Sequence, residues 1–118
     1  MDYDKIRDEI NRVRMEREWD KLDNLKDLAE SLIVESAELL EQVLWKNPEQ
    51  VDEMLEIELK REKIEDELAD VLLNVICFSE RAGIDLEHAC LRKIKKIEEH
   101  YPLHKAKGNN KKYNEFKE

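Results

Sequence analysis

Glycine and proline are nearly absent, two of each in 118 residues. That is too few to supply the turns of a sandwich, a barrel or a doubly wound sheet. An all-α fold is the reading left, and the length suits one domain of ordinary size and excludes a second full one. Cysteine is equally scarce. Cys77 and Cys90 lie in apolar stretches with no CxxC and no histidine-rich companion, which points to buried reduced thiols and away from a disulfide or a zinc site. No apolar run approaches the ~18 residues that cross a bilayer, and the start MDYDKIRDEI has no signal-peptide core, so a cytoplasmic protein without a membrane partner is expected.

Positive charge is missing from most of the chain. Residues 1–91 hold 26 acids against 12 bases, whereas residues 92–118 hold 9 bases against 4 acids. An acidic body cannot displace the counterions of a nucleic-acid polymer, which excludes that class of partner. A basic end beside acidic helices suits a phosphorylated small molecule.

What is present in quantity is helical periodicity. Ile6, Ile10 and Val13 give a thin stripe to a peripheral first helix over residues 4–18. A core helix follows from Asn24 to Trp45, with Leu25, Leu28, Leu32, Leu39 and Val43 on one side, widened by Ala29, Ile33, Leu40 and Leu44. Asn47-Pro48 caps and starts another helix, with Gln50 three residues on. One helix from there to Gly83 would span roughly 50 Å, so a break is expected within residues 55–61. The second core helix, Lys60 to Arg81, carries Ile64, Leu68, Val71, Leu72, Val75 and Phe78, and Asp85 caps a last helix ending near His100. Residues 1–102 thus read as one helical domain and 103–118 as a basic C-terminal tail without periodicity. Apolar arcs this wide exceed what one short chain covers. Helical hairpins assembling into four-helix bundles within a homo-oligomer are therefore expected.

Acidic pairs three residues apart recur nine times along the chain, so spacing alone selects none of them. Context selects two: Glu35/Glu38 in LIVESAELL and Glu67/Asp70 in EDELADVLL. On a wheel of about 100° per residue, Leu28, Leu39 and Leu32 fall within about 60° of Glu35 on one side, and Glu38 about 60° away on the other. Phe78, Val71, Ile64 and Asp70 stand in the same relation to Glu67. Four carboxylates at the rim of an apolar interface repel one another unless a cation intervenes. All-oxygen ligands favour Mg²⁺, with Mn²⁺ as a substitute. The alternative is a set of boundary acids salt-bridged to Lys or Arg. On the same wheels Trp45 falls beside Glu38, and Asn74 between Glu67 and Asp70. Either can face a nucleobase or simply pack.

These blocks together resemble the MazG-like all-α nucleoside triphosphate pyrophosphohydrolases. The likeness runs from EREWDKLDNLKDLAESLIVESAELLEQVLWK through ELADVLLNVICF to Tyr101-Pro102 and KAKGNNKKY, and is nearest to the small house-cleaning enzymes similar to dCTP pyrophosphatase. The resemblance implies Mg²⁺-dependent hydrolysis of a nucleoside triphosphate to the monophosphate and pyrophosphate, in a tetramer built as a dimer of dimers. It implies Glu35, Glu38, Glu67 and Asp70 as metal ligands and Trp19 and Trp45 as base-stacking residues. Within that frame Glu38 orients or deprotonates the attacking water, Lys93 and Tyr101 hold phosphates, and Asn74 faces the base. Two positions depart from the family pattern: Asn74 where relatives often have an aromatic, and Ile97 where they often have Asn. A rival from another class is a non-catalytic acidic helical module that only dimerises or binds a partner helix.

Overall fold

The computed structural model describes residues 1–116; the last two residues of the expected tail, 117 and 118, lie outside the described residues. Six α-helices and two 3₁₀ turns make up the regular structure, and the described residues contain no strand. Helix α1 spans Tyr3–Glu16, α2 Leu25–Val43, α3 Pro48–Leu55, α4 Glu58–Ala82, α5 Leu86–His100 and α6 Leu103–Ala106, with 3₁₀ turns at Trp19–Lys21 and Tyr113–Glu115.

Local chemistry accounts for most boundaries. Asp2, Asn24 and Asp85 each accept a hydrogen bond from the backbone N–H three residues on, at 3.1, 2.9 and 3.0 Å, satisfying donors that a helix start leaves orphaned. Asn47 and Gln50 form a reciprocal capping box at 2.8 and 2.9 Å around Pro48. The expected break falls at Glu56 and Ile57, the latter in extended backbone. Gly83 ends α4 in the left-handed region, φ 67°, where a residue without a Cβ is at no disadvantage.

The chain divides into two compact units, residues 1–83 and 84–118. In the first, α2 and α4 pack antiparallel, with α1 and α3 also against α4. The direction follows from pairs at both ends: Leu28 and Cys77 line one cavity, and Glu35 and Glu67 meet further along. Full burial is confined to Leu28, Met54, Ile76, Cys77 and Ser79 among the described residues. The apolar arc expected on α4 is mostly half-buried, and its Leu68 is 56% exposed. Ile76 and Cys77 lie deeper because α4 is covered there by α2 and also by α1, whose Arg7 Nε reaches Glu80 at 3.3 Å. The residues that widen the arc of α2 stay out of this core, Ile33 at 70% and Leu40 at 56% exposure.

In the second unit the expected tail is partly folded. Tyr113 stacks on His100, centroids 4.3 Å apart, and Tyr101 meets Tyr113 and Phe116 edge-on at 6.1 and 5.6 Å. These contacts lack the spacing of a helix face, so periodicity did not register them. Cys77 is buried as expected, but Cys90 is exposed.

Candidate active site

The antiparallel packing of α2 on α4 brings the two selected acid pairs together. Carboxylate oxygens of Glu35, Glu38 and Glu67 lie within 4.8 Å of one another, each side chain half-buried. Asp70 is not one of these three, yet its charge bears on both Glu35 and Glu67. Oε2 of Glu35 and Oε2 of Glu67 are buried with no hydrogen-bond partner, a costly state for a polar atom.

Burial pushes the Glu35 carboxyl above its ordinary range, and the close approach of Glu38 and the charges of Asp70 and Glu67 push it the same way. Glu67 is raised by burial first and then by Glu38 and Asp70. None of the ion pairs among the described residues involves Glu35, Glu38, Glu67 or Asp70. Those residues therefore offer no counter-charge, and the salt-bridged alternative lacks its partner. A cation fits what remains: hard oxygen donors, two of them buried and unsatisfied.

The other residues named from sequence are placed as follows. Asn74 is half-buried one turn beyond Asp70, its Nδ2 donating to the Asp70 carbonyl at 2.8 Å, which leaves Oδ1 and the second N–H available. Trp19 opens the 3₁₀ turn between α1 and α2, about half-exposed, with the Arg17 guanidinium 5.8 Å from its ring centre. Trp45 stands 93% exposed with φ 63°. Helix α2 ends at Val43, so the wheel that set Trp45 beside Glu38 does not extend to it; extended backbone at Leu44 redirects the chain first. Lys93 is exposed on α5, and Tyr101 closes that helix within the aromatic cluster of the second unit.

Periodicity missed one feature. The two non-glycine residues with positive φ among those described are Glu18, next to Trp19, and Trp45 itself. For a bulky residue this is an unfavourable conformation of the kind that gathers at functional sites. No motif in the sequence announces it.

A model of the MazG-like family matches residues 31–116, a stretch that includes every site residue above except Trp19. Curated relatives include dCTP pyrophosphatase 1 of Rattus norvegicus, 28% identical over 101 residues, and that of Homo sapiens, 30% identical over 101 residues. Each alignment covers 86% of this chain and 59% of the relative, so the chain spans under two thirds of their length. The crystal structure of a pyrophosphatase from Archaeoglobus fulgidus DSM 4304 is similar with a TM-score of 0.78 and 33% identity, covering 86% of this chain and 94% of that one. With the all-α architecture, the family match over most of the chain and a structural neighbour of nearly equal extent in agreement, this chain belongs to the MazG-like family.

Proposed function

We propose that this chain is a nucleoside triphosphate pyrophosphohydrolase, cleaving (deoxy)nucleoside triphosphates to the monophosphate and pyrophosphate in house-cleaning of the nucleotide pool. The observation that carries the reading is the convergence of Glu35, Glu38 and Glu67 with two buried, unsatisfied oxygens and no basic partner. Relatives bearing the names dCTP pyrophosphatase 1 and pyrophosphatase support the reaction class.

Glu35, Glu38, Glu67 and Asp70 would hold Mg²⁺, or Mn²⁺ in its place, and the ion would supply charge neutralisation for the triphosphate and its transition state. Glu38 orients the water that attacks the α-phosphorus and takes its proton, as the bond from that phosphorus to the bridging oxygen breaks and pyrophosphate leaves. Trp19 and Trp45 enclose the base by stacking, a sequence-tolerant contact. Asn74, held by one N–H on the Asp70 carbonyl, turns the rest of its amide to the base. Lys93 and Tyr101 hold phosphate oxygens.

The working form is a homo-oligomer, a tetramer built as a dimer of dimers. Exposed Ile33 and Leu40, seven residues and so two turns apart on one face of α2, support this, as does exposed Leu68 on α4. Sedimentation at micromolar concentration checks it, and a folded, active monomer would refute it.

The deciding experiment is pyrophosphate release from a panel of nucleoside triphosphates in Mg²⁺ or in EDTA. Release in Mg²⁺ alone is expected. A chain that releases none from any of them is the non-catalytic dimerisation module instead.

A further inference from the structure

Trp19 sits on the connection between α1 and α2, a segment with a single 3₁₀ turn of its own, and yet that segment is pinned at several points. Glu18 holds the left-handed conformation, φ 58°, with its N–H donating to the Met15 carbonyl at 3.0 Å and its carboxylate on Lys21 Nζ at 2.8 Å. Arg17 Nη1 donates to the Val13 carbonyl at 3.0 Å while its guanidinium lies over the Trp19 ring. The indole thereby carries a cation against its ring while the residue stays about half-exposed.

The strongest pin is the ion pair between Arg14, in the last turn of α1, and Asp23, immediately before the cap of α2. Its side chains are 19% and 26% exposed, making it the most shielded ion pair among the described residues. Asp23 Oδ2 is buried with no hydrogen-bond partner, and what faces it is the Arg14 guanidinium of the ion pair. A cavity of about 200 Å³ beside the pair is lined by Leu28, Cys77 and Glu80, so the pair lies where α1, α2 and α4 meet. Asp20, Glu80 and Arg81 line the same cavity, but removing one partner takes away the direct link between the end of α1 and the start of α2, and the loop between them is then free to shift.

We propose that the Arg14–Asp23 ion pair is a positioning device for Trp19. It closes the loop over residues 15–22 and so holds the half-exposed indole where the substrate base stacks. This rests on the reading of Trp19 as a base contact. Neither Arg14 nor Asp23 touches substrate, so the pair acts on nucleotide binding and leaves the chemical step alone.

The chain has two tryptophans, so in Trp45→Phe protein the emission reports on Trp19 alone. Without nucleotide, Asp23→Asn is expected to raise acrylamide quenching of Trp19 by about twofold, and the charge-exchanged double variant Arg14→Asp/Asp23→Arg to return it towards the parent value. With Trp45 retained, Asp23→Asn should raise KM for an accepted nucleoside triphosphate by about fivefold with kcat within about twofold, and the exchange should restore KM. Arg14→Lys keeps the charge without the fork geometry and provides a milder variant should Asp23→Asn not fold. Unchanged quenching overturns the proposal. So does a lowered thermal midpoint with quenching and KM both unmoved, which marks a merely structural pair. Raised quenching with unchanged KM removes Trp19 from substrate binding and overturns the proposal through that premise. Should the parent hydrolyse no nucleotide, the functional reading fails, and the quenching measurement still decides whether the pair holds Trp19.

Discussion

The α2–α4 interface has two unlike ends. Where Leu28 meets Cys77 and Ile76, a third helix closes over the contact, the side chains are buried, and the buried Ser79 hydroxyl donates to the Ile76 carbonyl at 2.8 Å. Where Glu35 and Glu38 meet Glu67, burial is partial, like charges face one another, and two oxygens have no partner. The same pair of helices thus buries apolar side chains at one end and leaves like charges in conflict at the other. A sequence that places such a conflict inside LIVESAELL and EDELADVLL, with leucines available on all sides, gives up stability there, and the loss is intelligible if a cation resolves it.

The comparison breaks most visibly at the closed end. Ile76 is fully buried, and Ile76→Ala is expected to cost about 2–5 kcal/mol by lost burial and cavity formation. Denaturant unfolding measures this, and turnover per folded molecule should remain near that of the parent. If turnover falls in step with stability, the two ends are not separable in the way proposed.

At the open end the pattern should invert. Glu38→Gln and Asp70→Asn are expected to keep their helicity while lowering turnover at least about a hundredfold, because charge neutralisation at the transition state is lost. Asp70 is the more informative of the two, since it lies outside the three-residue group and enters through its charge. Near-parental activity in Asp70→Asn would remove it from the reaction.

The same contrast explains what was legible in the chain. Helix ends were readable because their causes are local: Asn24, the Asn47-Pro48-Gln50 box, Gly83 and Asp85 each act within three residues of the boundary they set. The acid cluster was readable because each pair sits in an apolar run, so packing those runs on each other suffices to bring Glu35, Glu38 and Glu67 together. The depth of Ile76 was not, since it depends on where α1 lies against α4. Trp45 was misplaced on a wheel because the end of α2 after Val43 carries no glycine, proline or capping side chain. The Arg14–Asp23 pair was invisible for a similar reason. Its partners are nine residues apart in sequence, on either side of a loop whose path no periodicity describes.

A smaller effect is expected from the base pocket. Trp45 is almost wholly exposed, so Trp45→Ala should leave the thermal midpoint of the ligand-free protein unchanged. If the indole stacks on the base, substrate binding weakens by about 1–3 kcal/mol, read as a raised KM. An unchanged KM with a lowered midpoint would assign Trp45 to packing instead.

The smallest effect tests the conflict itself. Glu35 and Glu67 hold their carboxyls above the ordinary value of 4.5, chiefly through burial. The folded protein therefore binds protons at these sites more readily than the unfolded chain does. Their contribution to stability is fully present below the unfolded value and is lost as pH rises through the raised folded values. In EDTA the midpoint should decline between a pH near the ordinary carboxyl value and a pH above the raised folded values, and Glu35→Gln should flatten the decline. Added Mg²⁺ competes with protons for the same oxygens, so it should raise the midpoint more at the higher pH than at the lower. Scanning calorimetry at both pH values, with Mg²⁺ and with EDTA, reads all of these together. Equal stabilisation by Mg²⁺ at the two pH values would mean that the ion binds elsewhere, and that the buried oxygens of Glu35 and Glu67 are not what draws it.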